Sequence, residues 1–122
     1  MKILIVDDEP SLQKSCKLML EKRGHVVGLA DNGNRALSAL SGESYDLLIT
    51  DIIMPDKEGI ELIIEVRGQY PSLPIIAMSG GGRLDAHNYL DMAAKLGCTT
   101  TLQKPFTFDE LLAAVDAAAS LE

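Results

Sequence analysis

The chain has 122 residues, 47% of them apolar and 4% aromatic, enough for one domain around one core. Its net charge of −7, from 11 Lys and Arg against 18 Asp and Glu, comes without a basic stripe. That argues against direct nucleic-acid binding and for protein, metal or small-anion partners. No apolar run approaches the ~20 residues of a membrane span, and no basic, apolar leader opens the chain, so a soluble, cytoplasmic protein without membrane contact is expected. Cys16 and Cys98 lack metal-ligand spacing and read as reduced packing residues rather than a disulfide.

In chain order, Lys2 to Asp7 forms a first strand, and an apolar stripe of Leu12, Cys16, Met19 and Leu20 marks a helix stopped by Gly24. A second strand covers His25 to Ala30, and a short helix runs from about Asn34 to Leu40. A third strand covers Asp46 to Thr50. The next helix carries Ile60, Ile63, Ile64 and Arg67, widened by Leu62 and Val66, and ends before Pro71. A fourth strand covers Ile75 to Met78, a further helix about 84–95 is closed by Gly97, and a fifth strand covers Thr99 to Leu102. Thr107-Phe108-Asp109-Glu110 is a capping box for the last helix, whose expected buried stripe is Phe108, Leu111, Leu112 and Val115. Five βα units predict a doubly wound α/β sheet with helices on both faces, in one domain over residues 1–120. Leu121-Glu122 reads as a cloning scar.

Four apolar runs, at strands one, three, four and five, read as buried on both faces of a parallel sheet. Each ends in a polar group: Asp7-Asp8-Glu9, Asp51, Ser79-Gly80-Gly81-Gly82 and Lys104-Pro105-Phe106. Parallel strands share one carboxyl rim, where open α/β sheets bind ligands. Neighbouring strands lie about 4.8 Å apart, and two carboxylates near 5 Å repel by roughly 3 kcal/mol at an effective dielectric of 20. Such a cluster needs a cation. Mg²⁺ suits a few carboxylates, waters and a phosphate, and with Lys104 it brings three acids close to neutrality. Taken singly the ordinary readings are strong: an acidic turn before a helix, a turn starting at Asp51, a helix cap at Ser79, a solvated Lys104. Taken together, in register on one rim, they are not.

The arrangement resembles the receiver (phosphoacceptor) domain of two-component response regulators, in a chemotaxis-regulator-like form, over residues 2–120. The resemblance rests on Ile5-Val6-Asp7-Asp8-Glu9, Asp51 with Met54-Pro55 and Gly59, Ser79-Gly80, and Lys104-Pro105-Phe106. It implies a flavodoxin-like fold with five helices and a five-stranded parallel sheet ordered 2-1-3-4-5. Asp51 would be the phosphoacceptor, a carboxylate nucleophile toward phosphorus. Asp8 would be the principal Mg²⁺ ligand, with Asp51 also on the metal, Asp7 acting through water and the Ile53 carbonyl completing the shell. Lys104 and Ser79 would hold phosphoryl oxygens, Gly80 would leave room for them, and Lys104-Pro105 would be cis. The donor would be a sensor histidine kinase or histidine phosphotransfer protein. The reader would be a downstream protein target or output domain.

Two departures from the family pattern stand out. Thr101 occupies a position where many receivers carry an aromatic switch residue, so ring rotation is replaced here. Ordering of the segment Ser79-Gly80-Gly81-Gly82 by phosphate is the expected substitute. Ile53 and Gly81 offer no side chain to orient a hydrolytic water, so unassisted dephosphorylation should be slow. The competing readings are a degenerate receiver that binds partners without phosphate, a flavodoxin-like flavin protein and a metal-dependent phosphatase. The complete acidic set opposes the first. Three acids after strand one oppose a flavin phosphate, and Ile53 stands where the phosphatase needs an acid. His25 and His87 carry no partner pattern.

Overall fold

The computed structural model describes residues 1–52, 59–79, 91 and 94–119. Five strands, β1 (Lys2–Val6), β2 (Val26–Ala30), β3 (Leu47–Asp51), β4 (Ile75–Ser79) and β5 (Thr100–Gln103), form one parallel sheet in the order β2-β1-β3-β4-β5. This is the flavodoxin-like topology expected from the sequence. Four helices are described: α1 (Pro10–Lys22), α2 (Gly33–Gly42), α3 (Gly59–Gln69) and α4 (Phe108–Ala119). The expected helix over 84–95 falls mostly outside the described residues, although Asp91, Ala94 and Lys95 are helical.

The apolar runs of β1, β3 and β4 are buried as predicted, and these strands occupy the middle of the sheet. Ile3 and Ile5 face the layer under α1 and α4, whereas Leu4 and Val6 face the layer under α2 and α3. Burial of each such side chain is worth roughly 2 kcal/mol, so the sheet's two faces supply the driving force. The fifth strand departs from the expectation. Thr101 and Gln103 are exposed and only Leu102 is buried, because β5 is an edge strand.

Helix boundaries follow local chemistry. Pro10 starts α1, where its missing N–H costs no hydrogen bond, and Gly24, at φ +88°, ends it. The Asn32 side chain accepts from the Arg35 N–H at 2.9 Å to open α2. The capping box is present in both directions: the Thr107 N–H donates to Glu110 at 2.9 Å, and the Glu110 N–H donates to Thr107 Oγ1 at 3.1 Å. Two helix faces hold in most positions and depart from expectation at Ile64 and Phe108. In α3 the buried stripe is Gly59, Leu62, Ile63 and Val66, with Ile64 exposed. In α4 it is Leu111, Leu112, Ala114, Val115 and Ala118, while Phe108 is exposed. Both cysteines are free. Cys16 is buried in the layer under α1 and α4 and Cys98 packs against the opposite layer, as their isolation in the sequence implies. Burial pushes both thiols up to about 11, with Asp7 adding to the effect at Cys16.

Candidate phosphoacceptor and metal site

The strand register assembles the site. Val6 pairs with Thr50, so the next residues, Asp7 and Asp51, leave neighbouring strands at the same level. Asp51 pairs with Met78 and Ser79 pairs with Gln103, which brings Ser79 and then Lys104 to the same rim. The Lys104 N–H donates to the Ser79 carbonyl at 2.7 Å and fixes the exit of β5. Lys104-Pro105 is cis, as expected.

Asp7 is fully buried and Asp51 is 6% exposed, whereas Asp8 is exposed. Carboxylate oxygens of all three lie within 4.8 Å of one another. The Lys104 ammonium donates to Asp7 Oδ2 at 2.6 Å and to Asp51 Oδ2 at 3.0 Å. The Glu9 N–H donates to Asp7 Oδ1 at 2.8 Å. Desolvation raises the Asp7 carboxyl above its ordinary range, against the opposing pull of Lys104 and the Glu9 N–H. Burial works against the Lys104 charge, but its bonds to Asp7 and Asp51 outweigh it and hold the ammonium above its usual value. Among the described residues the corner sets three acids against one ammonium, which bonds to Asp7 and Asp51, a formal excess of negative charge. A hard divalent cation with oxygen ligands fits that excess.

Ser79 Oγ is buried and has no hydrogen-bond partner among the described residues. A hydroxyl orphaned at the rim of a charged site is a donor awaiting an acceptor. Gly59 holds the opposite wall: its N–H donates to the Ile52 carbonyl at 2.6 Å, and a Cβ there would collide with the backbone of Asp51 and Ile52. The close approach of α3 to the end of β3 is what requires glycine at this position.

The ordinary reading of the first turn is partly true as well. Asp7 does brace the turn into α1, through Glu9, while it faces the cluster. Thr101 is exposed on the edge strand. The expected contributions of Ile53, Gly80, Gly81 and Gly82 lie outside the described residues, as does His87. Sequence reasoning missed Gln13, whose side-chain amide donates to the Asp7 and Ala30 carbonyls. A separate cleft of about 520 Å³, lined by Leu40, Tyr45, Tyr70, Pro71 and Pro74, opens between the ends of α2 and α3. Its acids are exposed, Glu43 paired with the Lys2 ammonium and Asp46 accepting from the Lys2 backbone N–H, so it lacks the buried carboxylates of the carboxyl rim.

Sheet topology and acidic corner together define a flavodoxin-like module with a cation-ready carboxylate cluster. The family model described as the response regulator receiver domain matches residues 3–116. The chain is 39% identical over 116 residues to the transcriptional regulatory protein CusR of Escherichia coli, covering 94% of this chain and 49% of CusR. It is 34% identical over 116 residues to the transcriptional regulatory protein FixJ of Bradyrhizobium diazoefficiens, covering 95% of this chain and 55% of FixJ. It thus spans about half the length of these curated relatives. Among solved structures, the receiver domain of NtrX from Brucella abortus superposes with a TM-score of 0.91 at 28% identity, over 98% of this chain and 99% of that one. A response regulator receiver domain protein from Clostridium thermocellum gives 0.87 at 32% identity, over 96% and 92%. The chain belongs to the receiver-domain family of two-component response regulators. Receiver domains are phosphorylated on aspartate and bind Mg²⁺ at an acidic cluster, and the cluster of this chain is Asp7, Asp8 and Asp51.

Proposed function

We propose that Asp51 is the phosphoacceptor of this receiver domain. The observation that carries this reading is the position of its carboxylate: nearly buried, beside Lys104, and facing the rim shared with Ser79. In the proposed step, an Asp51 carboxylate oxygen attacks phosphorus of a phosphohistidine on a sensor kinase or phosphotransfer protein. A P–O bond forms, the P–N bond breaks, and the imidazole leaves with the electron pair, taking up a proton. Lys104 neutralises a transferring oxygen as a compact charge. Ser79, whose hydroxyl lacks a partner among the described residues, donates to another phosphoryl oxygen.

Mg²⁺ would be held by Asp8 and Asp51, with Asp7 acting through water and the Ile53 carbonyl completing the shell. When bound, it neutralises charge on the attacking carboxylate and the phosphoryl oxygens. Asp8 is exposed and makes no hydrogen bond or ion pair among the described residues, so its oxygens are available. Asp7 already accepts from the Glu9 N–H and Lys104, which favours an indirect role.

The domain spans residues 1–120 and turns over no separate substrate. It works in the cytoplasm, and the phosphorylated state is read by a protein target or an output domain. A net charge of −7 supports a protein reader rather than direct contact with nucleic acid. Among the described residues no helix is long and apolar enough to cross a membrane. The test is incubation with acetyl phosphate, with and without Mg²⁺, followed by intact mass measurement. One phosphoryl group should be gained only with Mg²⁺, and Asp51→Asn should gain none. Equal labelling of the amide variant would overturn the assignment.

A further inference from the structure

The carbonyls of Asp7 and Ala30 stand where the β1–β2 ladder ends. The last paired residues are Val6 and Ala30, followed by one more bond from the Asp7 N–H to the Ala30 carbonyl at 3.1 Å. Gln13, in the first turns of α1 and half-buried, reaches back over this end. Its Nε2 donates to the Asp7 carbonyl and, at 3.0 Å, to the Ala30 carbonyl. Both partners are acceptors, so only the amide nitrogen of Gln13 satisfies them, and its two hydrogens match the two carbonyls.

We infer that Gln13 is a positioning residue for the metal corner: it ties α1 to the ends of β1 and β2 and so fixes the direction in which Asp7 and Asp8 leave the sheet. Besides the bond from its N–H to Ala30, three contacts then hold Asp7. Gln13 holds its carbonyl, the Glu9 N–H one carboxylate oxygen, and Lys104 the other. Asp8, the next residue, has no such anchor among the described residues, so its placement is inherited from the backbone of Asp7. Outer groups that fix metal-binding residues typically change affinity by 10–100-fold when removed. The inference rests on the reading of Asp7 and Asp8 as the metal corner.

The test uses the whole chain and Mg²⁺ alone, titrated calorimetrically, with Gln13→Met as a similar-sized side chain that donates nothing. Leu40→Val, a core change in the layer beneath α2, controls for general loss of stability. Gln13→Met should weaken Mg²⁺ binding about tenfold and speed amide exchange at Asp7 and Glu9, while Leu40→Val leaves both unchanged. Gln13→Arg restores two donors yet adds a positive charge that opposes a cation, so recovered affinity would report donor geometry. Affinity of Gln13→Met within twofold of the parent, or an equal loss in Leu40→Val, would overturn the role of Gln13 alone. Failure of the unaltered chain to bind Mg²⁺ would overturn the metal corner itself, and the inference with it.

Discussion

Each end of the sheet sets one lysine among acids, Glu43 and Asp46 at the amino edge and Asp7, Asp8 and Asp51 at the carboxyl edge, and the two clusters behave differently. At the amino edge, Lys2 bridges Glu43 through its ammonium, lies 5.0 Å from the centre of the Tyr45 ring, and donates its backbone N–H to Asp46 at 2.8 Å. At the carboxyl edge, Lys104 bridges Asp7 and Asp51. The ingredients are similar but the solvation is not. The Lys2 and Glu43 side chains are 34% and 58% exposed, against 16% for Lys104 and 0% and 8% for its two partners. A pair at 4 Å is worth about 1 kcal/mol in water and about 4 at an effective dielectric of 20. Exposure to water makes the amino edge a brace. Burial, and a third acid in Asp8, make the carboxyl edge a site.

The sharpest way to break this contrast is to remove each lysine. Lys104→Ala should slow labelling by acetyl phosphate by about 100-fold, the scale of losing one preorganised charge donor. It should also cost about 3 kcal/mol in urea unfolding without metal, because two buried carboxylates lose their cation. Lys2→Ala should leave the labelling rate within twofold of the parent. If both variants labelled normally, the carboxyl edge would be no more a site than its counterpart.

Glycines offer a second contrast. Gly59→Ala places a methyl group against the backbone of Asp51 and Ile52, which cannot yield as a side chain would. A loss of about 2 kcal/mol is expected, with slower labelling because Asp51 is displaced. Gly42→Ala, at the end of α2 with nothing within 4 Å of the added carbon, should be neutral or slightly stabilising. Urea midpoints of the two variants check this directly. An intermediate effect runs the other way. Asp51→Asn removes one of the crowded acids and should stabilise the metal-free chain by about 1 kcal/mol while abolishing labelling, the usual conflict between a charged site and its fold.

What could be read in advance follows from how locally each feature is encoded. β1, β3 and β4 are continuous apolar runs, and their terminal Asp7, Asp51 and Ser79 were legible because parallel strands leave one rim. The edge position of β5 is a property of the whole sheet, so the exposure of Thr101 and Gln103 was not visible in Thr99 to Leu102. In α3, Ile60, Ile63 and Ile64 are all apolar, and a stripe that wide does not say which side faces the sheet. The glycine at 59 is the clue, because it permits that face to close on the end of β3. Gln13 was missed because one glutamine in a helix has no pattern. Its position one residue after Leu12 and three before Cys16 puts it beside the buried stripe, which is the available clue.

The smallest expected effect belongs to the amino edge and tests whether that edge is electrically quiet. His25 lies 3.0 Å from the Met1 ammonium through Nδ1. Burial lowers its pKa below the ordinary 6.5, and the Met1 charge lowers it further, with Asp116 opposing. The folded chain therefore holds His25 neutral at pH values where the unfolded chain has protonated it. The unfolded state binds more protons in the window just below 6.5, so this histidine's contribution is complete above that pH and is lost as pH falls through the folded-state pKa. His25→Gln should flatten the difference in urea midpoint between pH 7 and pH 5.5 and leave Mg²⁺-dependent labelling of Asp51 untouched. A change in labelling would mean that the two edges are coupled through β1, and the division between brace and site would have to be redrawn.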